Sequence, residues 1–280
     1  MRQNINFSKL HGLGNDFILI DGINQRIDCD LLKAEASLLC DRNFGIGADG
    51  VIIAMTSTIC DIKMKIFNSD GSSPEMCGNG LRCFSQFVYE QKLIEKDMFS
   101  VETDAGKMIP ALILKNNKVI AVEVDMGEPQ TDTKIMPEAT KVHYIDVVME
   151  KTKFPIYIVS MGNPHAVIFV EDFKEVPIDT LGPFLQKHDY FPQGVNLEVV
   201  VVKDKACIEL IVWERGVGKT LACGTGACAA VVAGVYSNRI DNKVTAQLPG
   251  GNLLIEYASS DHKVIMTGPT KNVFSGNVVL

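Results

Sequence analysis

The chain has 280 residues, of which 46% are apolar and 22% charged, with a formal net charge of −7. This is ordinary globular composition, long enough for one large domain or two of usual size. The negative balance sets the overall field against nucleic acid and anionic membranes. No run of 18 apolar residues predicts a membrane-spanning helix, and residues 1–6 carry no signal or transit pattern. The expectation is a cytoplasmic protein with neither nucleic acid nor membrane as a partner.

Short apolar, β-branched runs bounded by Gly, Asn or Asp predict strands from end to end. In chain order they fall at 17–20, 51–54, 62–67, 119–124, 156–159, 166–170, 197–202, 207–213 and 263–267. Helical patterns are confined to roughly 31–40, 79–93 and 225–237. Strands this numerous, with few helices between them, indicate an α+β fold rather than regular βαβ alternation.

The chain carries an internal repeat. Ile66-Phe67-Asn68-Ser69-Asp70-Gly71 leads to Cys77-Gly78-Asn79-Gly80, and Val212-Trp213-Glu214-Arg215-Gly216-Val217 leads to Cys223-Gly224-Thr225-Gly226, at an offset of 146 residues without a gap. An offset of 148 pairs Gly14-Asn15 with Gly162-Asn163 and Val51-Ile52-Ile53 with Val199-Val200-Val201. Matches in the same order at nearly one offset predict two homologous halves. The expected domains are 1–125 and 126–267, with the segment of about 268–280 allowed to return to the first. Met126-Gly127-Glu128-Pro129 and the Thr/Pro-containing stretch after it read as a linker.

Eight cysteines occur without a single C-x-x-C, which argues against a zinc knuckle or a thioredoxin-type pair, and no metal site is expected. Most are expected to be small core hydrophobes. Cys77 and Cys223 differ. In each half a strand, a turn (68–76 and 214–222) and C-G-x-G precede a helix, so each thiol sits beside unpaired backbone N–H groups. Those groups and the helix dipole are expected to make the thiols more acidic than usual and to hold a carboxylate. The plainer alternative is a pair of buried structural cysteines with glycines that serve only the turns. Duplication at matching places favours chemistry. Inverting a carbon centre takes a base on one face and an acid on the other, and two thiols can exchange those roles.

Two Gly-rich strings are rejected as nucleotide sites. Gly45-Ile46-Gly47-Ala48-Asp49-Gly50 is followed by a strand where a helix is needed, and Trp213 stands where the first Gly of a P-loop before Gly218-Lys219-Thr220 is required. Asn15, Asn68, Asn163 and Asn196 lie at strand ends, where local turn chemistry alone would explain any one of them. Glu214 and Arg215 end a strand and could form a solvated pair. His165, in Gly162-Asn163-Pro164-His165, is the one histidine in a repeated motif.

These motifs together resemble the diaminopimelate epimerase family. The resemblance is carried by Lys9 to Phe17, Asp41 to Gly50, Glu75 to Phe84, Gly162 to His165, Gly194-Val195-Asn196, and Glu214-Arg215-Gly216 through Cys228. It implies an isomerase that interconverts LL- and meso-diaminopimelate without pyridoxal phosphate or any other cofactor, in lysine and peptidoglycan precursor synthesis. It also implies a cytoplasmic homodimer and two pseudo-symmetric domains, each a curved, mostly antiparallel sheet around a central helix, with the site in the cleft between them. Carried over by motif, Cys77 and Cys223 are the acid–base pair, and Gly78, Asn79, Gly224 and Thr225 meet the reacting carboxylate. Asn15, Asn68, Asn163, Asn196, Glu214 and Arg215 bind the substrate's head groups, and His165 and Glu214 tune the thiols. Several relatives carry Gln where this chain has Gly50. The alternative is a proline or hydroxyproline racemase of the same fold, in which His typically replaces Asn79 and the Glu214-Arg215 pair is missing.

Overall fold

The computed structural model describes residues 3–74, 77–130, 142–257 and 261–280. Glu75 and Met76, at the end of the first predicted turn, lie outside the described residues. So does 131–141, most of the predicted linker.

In chain order the first elements are β1 (Asn4–Gly12), β2 (Asn15–Asp21), α1 (Cys29–Cys40), β3 (Gly50–Met55), β4 (Ile62–Asn68) and α2 (Gly78–Glu90). Next come β5 (Val101–Thr103), β6 (Gly106–Met108), β7 (Ala111–Lys115) and β8 (Lys118–Asp125). They are followed by β9 (Val142–Met149), β10 (Thr152–Ser160), β11 (Pro164–Val170), α3 (Ile178–Leu185), β12 (Asn196–Asp204), β13 (Cys207–Glu214) and β14 (Gly218–Thr220). The chain ends with α4 (Gly224–Tyr236), β15 (Lys243–Leu248), β16 (Gly251–Tyr257), β17 (Val264–Gly268) and β18 (Lys271–Val279). The fold is α+β. It divides into one unit of Met1–Val124 with Gly268–Leu280 and a second of Asp125–Thr267. No described helix is long and apolar enough to cross a membrane.

The two units repeat one topology. In the first, strands lie in the order β18-β1-β2-β3-β4-β5-β6, and only β2/β3 and β4/β5 are parallel. The second runs β9-β10-β11-β12-β13-β15-β16-β17, with β14 also paired to β13, and only β11/β12 and β13/β15 are parallel, so the first seven strands of this order repeat the pattern of the first unit. Register corrects one expected pairing of the repeat. Val51 opposes Phe67 on β4, and Leu197 opposes Trp213 on β13. The counterpart of Val51-Ile52-Ile53 is therefore Leu197-Glu198-Val199, two residues before the predicted Val199-Val200-Val201. A strand alternates its faces every residue, so a slip of two leaves the apolar pattern intact.

Each unit packs helices against its sheet. In the first, Val51 and Ile53 pack with Leu32, Ala36 and Leu39 of α1, while Ile52 lies against Gly80 at the start of α2. In the second, Leu197 and Val199 pack with Ile178, Leu181 and Leu185 of α3. Helices α2 and α4 are the central ones: 78–88 is buried without a break, and so are ten of the thirteen residues of α4. Helix α4 is apolar or small on all sides, the pattern of an interior helix, whereas α2 buries the polar Asn79, Arg82 and Gln86 along with its apolar residues.

The predicted helices and strands lie within observed elements to within a few residues at their ends. Helix α3 was not predicted, because Gly182 and Pro183 break its pattern. Gly182 is there for space: a Cβ would lie 2.5 Å from the Trp213 ring. Gly182→Ala should lower stability by ~1–3 kcal/mol through overpacking. Urea denaturation followed by fluorescence of Trp213, the single tryptophan, measures it, and an unchanged midpoint would show that the ring moves aside freely.

Candidate active site

In each unit the sharp entry into the central helix is made by a cysteine at the N-cap. Cys77 has extended backbone and its Sγ accepts the N–H of Gly80 at 3.3 Å, taking the place a Ser or Asp oxygen usually fills. Cys223 holds the same position before α4, and its Sγ lies 3.5 Å from Thr225 Oγ1. The fourth residue of each C-G-x-G is closely packed. A Cβ on Gly80 would lie 3.1 Å from Ile52 Cδ1, and one on Gly226 would lie 2.4 Å from Glu198 Oε1.

Around Cys77 the first unit gathers Asn15, Gly78 and Asn79. Asn15 Oδ1 lies 3.9 Å from Cys77 Sγ and accepts from Asn79 Nδ2 at 3.2 Å, while Asn79 Oδ1 accepts from buried Arg82 at 2.8 Å. Asn15 in turn donates to Asp49 at 2.7 Å. Arg42 binds Asp16 through both terminal nitrogens, at 3.1 and 2.8 Å, and reaches Asp49 at 2.9 Å, and Lys9 pairs with Asp16 at 2.9 Å. Burial by itself raises the Asp16 pKa, but Arg42 and Lys9 outweigh it and the net shift is downward. Asn68 ends β4 opposite Gly50, and its side chain donates to Ser72 Oγ at 2.9 Å. A Cβ at Gly50 would meet the Phe67 carbonyl oxygen at 2.7 Å, so a side chain does not fit this backbone without a shift. The place corresponds to Asn196 in the second unit.

Around Cys223 the second unit gathers Gly224, Thr225, Asn163, His165 and Glu214. Asn163 lies 3.5 Å from Thr225 Oγ1 and 3.0 Å from His165 Nε2, and His165 Nδ1 lies 2.8 Å from Glu198 Oε1. Thr220 donates to Glu214 at 2.6 Å. Burial raises the Glu214 pKa, and Glu198 adds to it. Asn196 accepts the backbone N–H of Arg215 at 2.9 Å and donates to Pro164 O at 3.0 Å, and the exposed Arg215 side chain donates to Gln193 O at 3.2 Å.

Expected thiol acidity is corrected at Cys223. Burial, then Glu214 and Glu198, push this thiol well above its ordinary value, and the N–H of Gly226 and the Thr225 hydroxyl do not offset them. A helix N-terminus favours the thiolate by a modest amount, whereas loss of water and two nearby carboxylates oppose it strongly.

Several residues in these clusters were not anticipated: Glu198, Arg82, and the Lys9, Asp16, Arg42 and Asp49 network. Glu198 did leave a signal, a charge within the otherwise apolar run 197–202.

The sequence matches the model of the diaminopimelate epimerase family over residues 7–131 and 157–273. It is 46% identical to diaminopimelate epimerase of Moorella thermoacetica over 279 residues, covering 99% of this chain and 100% of that one. The enzyme of Methanococcus maripaludis strain C5 is 42% identical over 275 residues, 97% of this chain and 99% of that one. Among solved structures, a PhzF-family phenazine biosynthesis protein of Bacillus anthracis superposes with a TM-score of 0.73 at 14% identity, over 99% and 100% of the two chains. A hydroxyproline epimerase of Agrobacterium vitis gives 0.72 at 14% identity, over 100% and 94%. At such identity these two structures speak for the fold alone.

The lowered pKa of Asp16 makes its pairing with Arg42 and Lys9 pH-dependent. Its contribution to stability is present above the unfolded value of 3.8 and is lost as pH falls through the lower folded value. Asp16→Asn should therefore cost ~1–3 kcal/mol at pH 7. The gap to the unaltered protein should close below about pH 3.8. Denaturation midpoints across that range test this; a gap that does not depend on pH would assign the loss to packing.

Proposed function

Because the chain belongs to the diaminopimelate epimerase family, an isomerase family, we propose that it interconverts LL- and meso-diaminopimelate by moving the α-proton between Cys77 and Cys223. One cysteine, as thiolate, takes the proton from one face of the α-carbon: the C–H bond breaks and an S–H bond forms. The other, as thiol, delivers a proton to the opposite face, and the electron pair left on carbon closes the new C–H bond. The reverse reaction exchanges the roles. Negative charge that spreads into the α-carboxylate is met by backbone N–H groups of Gly78, Asn79, Gly224 and Thr225, the positive ends of two helices. Asn15, Asn68, Asn163, Asn196, Glu214 and Arg215 hold the amino and carboxylate groups, and His165 and Glu214 tune the thiols. The same reading makes the protein a cofactor-independent, cytoplasmic homodimer that acts in lysine and peptidoglycan precursor synthesis.

The observation that carries this reading is the duplication of a cysteine-capped, buried helix, once per unit, each with an asparagine pair or its Asn/Thr equivalent beside the sulfur. A structural cysteine has no reason to recur with its polar neighbours. Incubation with LL-diaminopimelate in deuterated water should give meso product with deuterium at the inverted carbon, and proline should not exchange. Cys77→Ala and Cys223→Ala should each lower turnover at least ~10²–10⁴-fold, the range for one positioned acid–base group. Near-normal epimerisation by either variant would sink the two-thiol mechanism. Arg215→Lys should raise KM and weaken discrimination against shorter amino acids, because Lys lacks the planar fork that grips a carboxylate. Unchanged specificity in that variant would place recognition of the second head group elsewhere.

A further inference from the structure

Cys77 stands beside a run of four side chains whose two ends carry opposite charge. The Arg82 guanidinium donates to Asn79 Oδ1 at 2.8 Å, Asn79 Nδ2 donates to Asn15 Oδ1 at 3.2 Å, and Asn15 Nδ2 donates to Asp49 Oδ2 at 2.7 Å. A guanidinium can only donate and a carboxylate can only accept. Arg82 is 0% exposed and cannot turn to water, and Asp49 is held by Arg42 at 2.9 Å and by the backbone N–H of Asp16 at 3.0 Å. Both ends therefore require the same sense of the two amides, with each oxygen toward Arg82 and each nitrogen toward Asp49. Asn15 Oδ1 accepts from Asn79 and lies 3.9 Å from Cys77 Sγ. Among the described residues, Asn15 and Asn79 each keep one amide hydrogen without a partner.

The second unit lacks both charged ends. At the offset of 146, Arg82 corresponds to Cys228 and Asp49 to Val195, both buried. Asn163, the match of Asn15, has the opposite sense: its Nδ2 donates to Thr225 Oγ1 at 3.5 Å and its Oδ1 faces His165 Nε2 at 3.0 Å. An asparagine at this place has no fixed orientation of its own, and the group behind it decides.

The geometry points to Arg82 and Asp49 as positioning residues that act through the Asn79–Asn15 pair and set it to meet a carboxylate beside Cys77. The inference rests on Cys77 standing at the reacting carbon, as in the reading above. An ammonium group needs acceptors, and here both amide oxygens are engaged along the chain. A carboxylate needs donors, and one hydrogen of each amide remains for it. The charged ends also polarise both amides in one direction, which strengthens those donors. Without the ends, either amide could turn and offer its oxygen instead.

Alkylation of Cys77 by iodoacetate and by iodoacetamide, mapped by peptide mass without substrate, reads this preference. The same thiolate displaces iodide from both reagents, so their rate ratio cancels thiol acidity and access. What is left is the preference for a carboxylate next to the sulfur. Asp49→Ala and Asp49→Asn lose the same charge, but only Asn keeps an acceptor for Asn15. The ratio of iodoacetate to iodoacetamide should fall about fivefold in Asp49→Ala, the effect of one net hydrogen bond, and should not fall in Asp49→Asn. Equal ratios in the two variants, or a fall in Asp49→Asn, overturn the proposal. Arg82→Lys keeps a head that can only donate and should keep the ratio. Arg82→Gln can face Asn79 either way and should lower it by a similar factor; no difference between these two makes Arg82 packing and refutes its role. Should the Arg82 variants not fold, the pair at the partly exposed Asp49 decides for the whole chain. Deuterium exchange into diaminopimelate, run in parallel, separates this outcome from failure of the epimerase reading itself.

Discussion

A helix whose first turn is buried must satisfy N–H groups that water cannot reach, and this constraint organises both units. Helices α2 and α4 lie inside their units along almost their whole length. Each begins at a cysteine in extended conformation, and at Cys77 the sulfur itself accepts an N–H of the first turn. A sulfur cap is weaker than an oxygen cap. What it adds is a group that can hold or release a proton where backbone dipoles converge. The glycines around each sulfur fit the same crowding, since side chains of the strand beneath leave little room at Gly80 and less at Gly226.

Duplication of this unit supplied two capped thiols, and divergence then made their surroundings unequal. The Cys77 neighbourhood continues outward from Asn15 into the ion pairs of Asp49, Arg42, Asp16 and Lys9. These lie nearer the surface, where a positive charge is available to match each carboxylate. The Cys223 neighbourhood continues inward to His165 and Glu198, both without exposure. The contrast is one of polarity: cations surround the first network, whereas two carboxylates press on the second thiol. Identical backbone settings therefore carry sulfurs in different electrostatic surroundings.

Much of this was legible in the chain before it folded, and the failures have physical reasons. Nine strands and three helices could be read from apolar runs, because burial of one or both faces leaves a clear period. Helix α3 could not, because Gly182 serves its contact with Trp213 and Pro183 breaks the helical pattern. Strand β1 and the edge strand β18 mix polar and apolar residues, since β1 exposes alternate residues at its start and β18 is exposed along most of its length. The misplacement of Val51 onto Val199 came from the strand period itself: a slip of two residues keeps every apolar side chain on its face, and only the ladder hydrogen bonds fix the match.

Local chemistry was thus determined by the sequence alone. Spacing of Cys, Gly and helix-forming residues is a short-range property, so both thiols, their glycines and their repeat are visible in it, and the resemblance to the diaminopimelate epimerase family follows from the same short motifs. Tertiary structure decided what stands behind them. Asp49 reaches Asn15 across 34 positions and Glu198 reaches His165 across 33, through parallel strands whose register no local signal specifies. Proton affinity at a buried sulfur depends on lost water and on charges brought close by folding, so the sequence suggested an acidic thiol at Cys223 and the packed structure reversed its sign.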